Sequence, residues 1–240
     1  MASAPAGLLL DHACIDVWQG QIDIPATAVE ACHELLSVAE KQRAAAFTFA
    51  DKYREYVVSR GLLRKALARV LQRPAGEFVI HQGDGGKPFL DAVCAGQAVC
   101  FNVSHSHGLA MVALSLDRQL GIDVEKIRAD VNLEKLAARF FSAGEARALR
   151  EYHGDVQAAF FATWTRKEAY VKALGKGIAF GLGEFDVNVC PHEAPRLLAN
   201  RRDPAAAANW HMENIETEAG FIATVAADGG EFTLRCWQGE

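Results

Sequence analysis

The stretch LGIDVEKIR at 120–128 sets Leu120, Ile122 and Val124 in alternation with Gly121, Asp123 and Glu125. A strand sends alternate side chains to opposite faces, so this pattern predicts a strand with Asp123 and Glu125 on one face and a buried apolar set on the other. Further along, WTRKEAYVKALGKG at 164–177 predicts a helix. Phe160, Trp164, Val171 and Leu174 fall on one apolar stripe, Glu168 and Lys172 share the flank beside it, and Gly175 marks the C-terminal stop. A fold that joins these two elements gathers three carboxylates and a lysine. Two close carboxylates repel by about 1 kcal/mol in water and about 4 kcal/mol near a protein surface. A cleft holding three therefore invites a hard divalent cation with oxygen ligands. Each half alone has a plainer account, as a solvated Asp-x-Glu face or as an i, i+4 helix pair worth roughly 0.3–0.5 kcal/mol.

Composition narrows the classes open to such a site. The chain of 240 residues can hold one large domain or two small ones. A net charge of −5 gives no reason to expect a nucleic-acid partner. Six cysteines are scattered without a C-x-x-C pair, which predicts buried reduced thiols rather than a metal or disulfide framework. The N-terminal MASAPAGLLLDHACIDVW lacks a basic region and a long apolar run, and no segment approaches membrane-spanning length. The expected setting is the cytoplasm, with no membrane partner.

Taken in order, the pattern predicts a strand over 12–18 and a helix from Thr27 to about Phe47. A second helix is expected from Asp51, as its cap, to Gln72, ended by Arg73-Pro74. Its outer faces carry Lys52, Arg54, Arg60, Arg64, Lys65 and Arg69, a solvated basic face or an anion site. EFVIHQ at 77–82 is strand-like, and the following GDGGKPFL holds three glycines around Asp84 with Lys87 projecting from the turn. Strands are expected at 98–104 and 108–116, the latter forming a hairpin with 120–127 through LDRQ. Asn132, Ser142 with Glu145, and Asp155 are helix-start signals, and four more strand-like stretches follow Gly177. The Pro- and Ala-rich piece 191–208 reads as an exposed connection. Helix and strand groups in both parts of the chain predict an α+β fold.

The residues also carry a resemblance. Gly121-Ile-Asp123 and, 45 positions from Asp123 to Glu168, Trp164-Thr-Arg-Lys167-Glu168-Ala-Tyr-Val-Lys172 resemble the paired motifs of the Sfp-type 4′-phosphopantetheinyl transferases. Gly86-Lys87-Pro88, Phe101-Asn-Val-Ser104-His105-Ser106 and Phe140-Phe141-Ser142 with Glu145 match further motifs of that family in order. The resemblance covers roughly residues 37–190. It implies two similar α+β halves, 1–117 and 118–240, packed as an intramolecular pseudo-dimer in a monomeric enzyme, with coenzyme A at their junction.

The implied reaction moves 4′-phosphopantetheine from coenzyme A to a serine of an apo acyl or peptidyl carrier protein, releasing adenosine 3′,5′-bisphosphate. By motif, Asp123, Glu125 and Glu168 would hold magnesium, or manganese, against the diphosphate. Glu168 would also take the serine proton, and Lys172 would neutralise the departing bisphosphate. Gly86, Lys87, Pro88, Ser104 and His105 would grip the nucleotide, with Arg43 and Arg60 nearest the places expected for its 3′-phosphate. Ile127, Leu133, Leu136, Phe140 and Phe141 could line a carrier groove, or be core. Two rivals remain at this point: a relative that binds coenzyme A or carriers without transfer, and a metal-dependent phosphodiesterase.

Overall fold

Residues 2–5, 7–83, 85–94, 96–177 and 180–239 are described by a computed structural model, the side chains of Val93 and Cys94 excepted. They form two units. The first takes the chain up to Gln82, Pro88–Asp117 and the stretch from Thr233 onward; the second takes Gly83–Lys87 and Arg118–Phe232. The chain end belongs to the first unit because Thr233–Gln238 is a strand running parallel to Cys14–Gln21, with Thr233 opposite Cys14. Buried Asp16 closes that seam: it pairs with Arg235 at 2.6 Å and accepts from Trp237 Nε1 at 2.8 Å.

In the first unit the strands lie in the order Ala2–Ser3, Thr233–Gln238, Cys14–Gln21, Leu109–Leu116, Gln97–Ser106, Val93–Cys94. The helix Ala50–Leu71 buries Leu63 and Leu67 in the same apolar core as Val112 and Leu114 of the sheet. Three local expectations change here. The helix starts at Ala50 behind Phe49, with no side-chain cap, so Asp51 sits in the first turn, where its charge favours the helix dipole. The single helix expected over 27–47 is two, Ala26–Glu34 and Val38–Ala45, parted by a capping box. There Ser37 Oγ accepts from the Glu40 amide and Glu40 accepts from the Ser37 amide. Arg64 is no solvated residue: wholly buried, it pairs with Glu40 at 2.6 Å and donates to the carbonyls of Ala75 and Phe78.

The second unit is built on the antiparallel sheet Trp210–Ile215, Phe221–Asp228, Leu120–Lys126. The expected hairpin between 108 and 127 does not form. Leu109–Leu116, buried at every position, already has Cys14–Gln21 on one side and Gln97–Ser106 on the other, so it has no edge left for a third partner. Leu120–Lys126 instead pairs with Phe221–Asp228, placing Asp123 opposite Thr224. The 191–208 piece is also more ordered than expected. It contains the strand Leu197–Asn200, paired with Phe185–Val187, and the short helix Ala206–Asn209, with Leu197 and Ala206 buried.

The helix Val156–Leu174 is capped by Asp155 and ends at Gly175, whose φ of 66° a side chain would resist. Its contact with the Leu120–Lys126 strand is close enough to explain Gly121. A Cβ at that position would overlap the Ala169 carbonyl oxygen and the Ala173 nitrogen. The Thr165 hydroxyl meets that of Thr224, on the neighbouring strand Phe221–Asp228, at 3.1 Å. The glycine is therefore what lets the backbone of Asp123 approach the helix that carries Glu168 and Lys172.

Among the described residues, the cysteines 14, 32, 100, 190 and 236 are free thiols, of which Cys32 alone is fully buried, so the buried-thiol expectation holds there only. Cys94 and Asp84 fall, respectively as a side chain and as a whole residue, outside the described part. No described helix is long and apolar enough to cross a membrane.

Candidate active site

Strand alternation puts Asp123 and Glu125 on one face of Leu120–Lys126, and helix periodicity puts Glu168 and Lys172 one turn apart on Val156–Leu174. The fold brings the four together. Lys172 Nζ lies 2.6 Å from Asp123 Oδ1 and donates to the Ile122 carbonyl at 3.2 Å. Glu168 Oε1 is buried without a hydrogen-bond partner. Burial, then the Asp123 carboxylate, and to a lesser extent Glu125, push the Glu168 carboxyl up to about 7 against the opposing pull of Lys172. Three carboxylates thus lie close enough to act on one another, with the Lys172 ammonium beside them.

The residues fit a hard cation in two respects: an all-oxygen donor set, and an orphaned buried carboxylate oxygen. Elsewhere, Glu30, His33 and Glu34 on the Ala26–Glu34 helix place three potential ligand atoms within 4.8 Å of one another. At that exposed group, Lys41 already supplies counter-charge to Glu34 at 3.2 Å.

The shifted carboxyl has a signed consequence. Its folded value lies above the unfolded 4.5, so the folded metal-free protein binds the extra proton and is favoured below pH 4.5. That advantage is lost as pH rises through about 7. Glu168→Gln removes the effect. Urea unfolding of metal-free protein should show the variant more stable than the parent by about 3 kcal/mol at pH 8 and equal to it at pH 4. Parallel curves at both pH values would contradict the assignment.

The glycine turn frames this site. Lys87 Nζ donates to the carbonyls of Leu120 at 2.8 Å and Ala173 at 2.9 Å, tying the turn to the strand and the helix that carry the carboxylates. Gly85 has no room for a side chain, since its Cβ would overlap the Gly175 carbonyl, and Gly86 takes a φ of 78°. Lys87, expected on nucleotide phosphates, is thus engaged with backbone carbonyls.

A second cluster lies in the first unit. Arg43, Arg60, Pro88 and His105 line one cavity of about 350 Å³, together with Tyr56 and a Lys52–Glu55 pair at 2.6 Å. Cations outnumber the single carboxylate on its walls, as suits an anionic ligand. Ser104 is buried on the face of its strand opposite His105.

Sequence reasoning gave Lys167 no role. It is fully buried, 2.6 Å from both Glu145 oxygens and 2.7 Å from the Phe185 carbonyl. Glu145 also accepts from the Ser142 and Val187 amides. The capping-box signal at Ser142 located Glu145, but nothing local named its partner. Of the groove candidates, Phe141 is buried, and Ile127, Leu133, Leu136 and Phe140 are partly buried against the cluster it forms with Phe160 and Phe161.

Comparison with known proteins covers both units. The sequence model of the 4′-phosphopantetheinyl transferase superfamily matches residues 119–226, and that of the 4′-phosphopantetheinyl transferase N-terminal region matches 25–117. 4′-phosphopantetheinyl transferase HetI of a Nostoc species is 34% identical over 97% of this chain and 95% of that protein. The chain belongs to the 4′-phosphopantetheinyl transferase superfamily. Another relative within it, 4′-phosphopantetheinyl transferase gsp of Aneurinibacillus migulanus, is 32% identical over 64% of this chain and 62% of its own. Among solved structures, holo-[acyl-carrier-protein] synthase of Thermotoga maritima aligns with 48% of this chain and 63% of that one, at 22% identity and a TM-score of 0.37. The described residues form the α+β fold expected from the sequence.

Proposed function

We propose that this phosphopantetheinyl transferase moves the 4′-phosphopantetheine group of coenzyme A onto a serine hydroxyl of an apo carrier protein. The observation that carries the reading is the meeting of Asp123, Glu125, Glu168 and Lys172 on the strand and helix that bear the family pattern. In the transfer, the serine oxygen bonds to the phosphorus attached to pantetheine. The bridging P–O bond breaks toward adenosine 3′,5′-bisphosphate, and the hydroxyl proton passes to Glu168.

In the metal-free protein, burial and the neighbouring Asp123 and Glu125 carboxylates raise the affinity of Glu168 for a proton. Lys172 brings positive charge to the place where the leaving group gains negative charge, the kind of preorganised electrostatic help that is commonly the largest catalytic contribution. Asp123, Glu125 and Glu168 would hold magnesium, with manganese as the alternative, and the ion when bound would supply Lewis-acid polarisation of the diphosphate oxygens. Arg43, Arg60 and His105 would hold the nucleotide end through its phosphate, the cationic cavity being the support for that assignment.

Intact-mass measurement tests the whole reading. Purified protein with coenzyme A and magnesium should add one phosphopantetheine to an apo carrier domain, and a chelator should stop it. Coenzyme A binding with no modification across a panel of apo carriers would favour a binding-only relative instead.

A further inference from the structure

The cavity of the first unit sets two guanidinium groups against one aromatic ring. Arg43 Cζ and Arg60 Cζ each lie 5.7 Å from the centroid of Tyr56, and all three side chains line the cavity. Like charges gathered in this way repel, and long side chains with nothing to hold them would swing into solvent. A ring face offers both cations a region of negative potential. Tyr56 is itself held in place: it is half-buried, and its ring meets that of Phe47 at 5.4 Å. Arg60 follows Tyr56 by one helical turn, whereas Arg43 comes from the Val38–Ala45 helix. The outcome is that Arg60 Nη1 is buried with no hydrogen-bond partner, a donor held ready for an acceptor.

We propose that Tyr56 is a positioning residue that holds Arg43 and Arg60 as a preformed clamp for a phosphate monoester, here the 3′-phosphate of the donor nucleotide. The proposal rests on the coenzyme A reading above and adds a specificity determinant to it. A preorganised pair of guanidiniums binds a terminal phosphate without first losing side-chain freedom, so the gain goes to donors that carry that phosphate and to no others. A Tyr56 that only filled space would give the same benefit to every donor.

Steady-state transfer from coenzyme A and from dephospho-coenzyme A, which lacks the 3′-phosphate, separates the two. Tyr56→Leu should raise KM for coenzyme A about five- to twentyfold with kcat little changed, and leave KM for dephospho-coenzyme A as in the parent. Tyr56→Phe, which keeps the ring, should restore most of the affinity; Tyr56→Gln gives the same comparison if the leucine variant does not fold. Equal KM increases for both donors, or none for either, would overturn the proposal while leaving the transferase reading in place. Failure of the parent protein to use either donor would remove that reading and the proposal with it.

Discussion

Replacing Glu168 with alanine or glutamine should lower kcat for phosphopantetheine transfer by about 10³-fold or more, and Lys172→Ala by about 10²–10³-fold. Both expectations follow from position. Glu168 contributes an unpartnered buried oxygen beside the Asp123 and Glu125 carboxylates, on the strand and helix that bear the family pattern. Lys172 holds the cluster's ammonium, 2.6 Å from Asp123. Loss of fold is an easily separated explanation for Glu168, because its neutral replacement relieves repulsion and should make the metal-free protein more stable at pH 8. An inactive yet stabilised Glu168→Gln is the signature of a functional carboxylate. An inactive and unstable one would point to a structural role.

Lys167→Met should be the most damaging of the conservative-volume changes to stability, costing about 3–5 kcal/mol. It leaves Glu145 3% exposed and without its cation, while Lys167 itself is 0% exposed. Burial holds the Lys167 ammonium below its ordinary value, partly offset by the Glu145 charge, so this pair is stable only as a pair. Making Glu145 neutral as well should recover much of the loss: Lys167→Met with Glu145→Gln keeps a capping acceptor for Ser142 and removes the stranded charge. Urea midpoints for the two single variants and the double variant measure the coupling. A Lys167→Met variant within 1 kcal/mol of the parent would show that water or a moved side chain neutralises Glu145.

These two lysines, five positions apart on one helix, show what the sequence makes visible. Lys172 could be placed beside Glu168 because the helical repeat is local, and Asp123 beside Glu125 because strand alternation is local. Asn132, Ser142 and Asp155 were readable as caps for the same reason, each accepting an amide three residues on. Ser37 with Glu40 obeys that rule too; its signal was present and was masked by the alanine-rich helical pattern around it. Lys167, by contrast, looks like any motif lysine until Glu145, 22 positions away, is seen to face it.

Pairing between strands lies beyond local pattern altogether. Leu109–Leu116 and Leu120–Lys126 are neighbours in the chain with matching apolar character, yet they enter different sheets because other strands compete for their edges. The reverse case is the cavity. Arg43, Arg60 and His105 come from two helices and a strand, and only folding gathers them around Tyr56. Gly121 shows a third limit: the motif glycine is visible in the sequence, but its reason, the backbone of a helix pressed against it, is not.

The most direct test of the account is the mass of an apo carrier protein after incubation with coenzyme A, saturating magnesium and either the parent protein or Glu168→Gln. The account predicts addition of one phosphopantetheine by the parent and essentially none by the folded variant in the same time. Equal modification by both would contradict the role given to the carboxylate cluster.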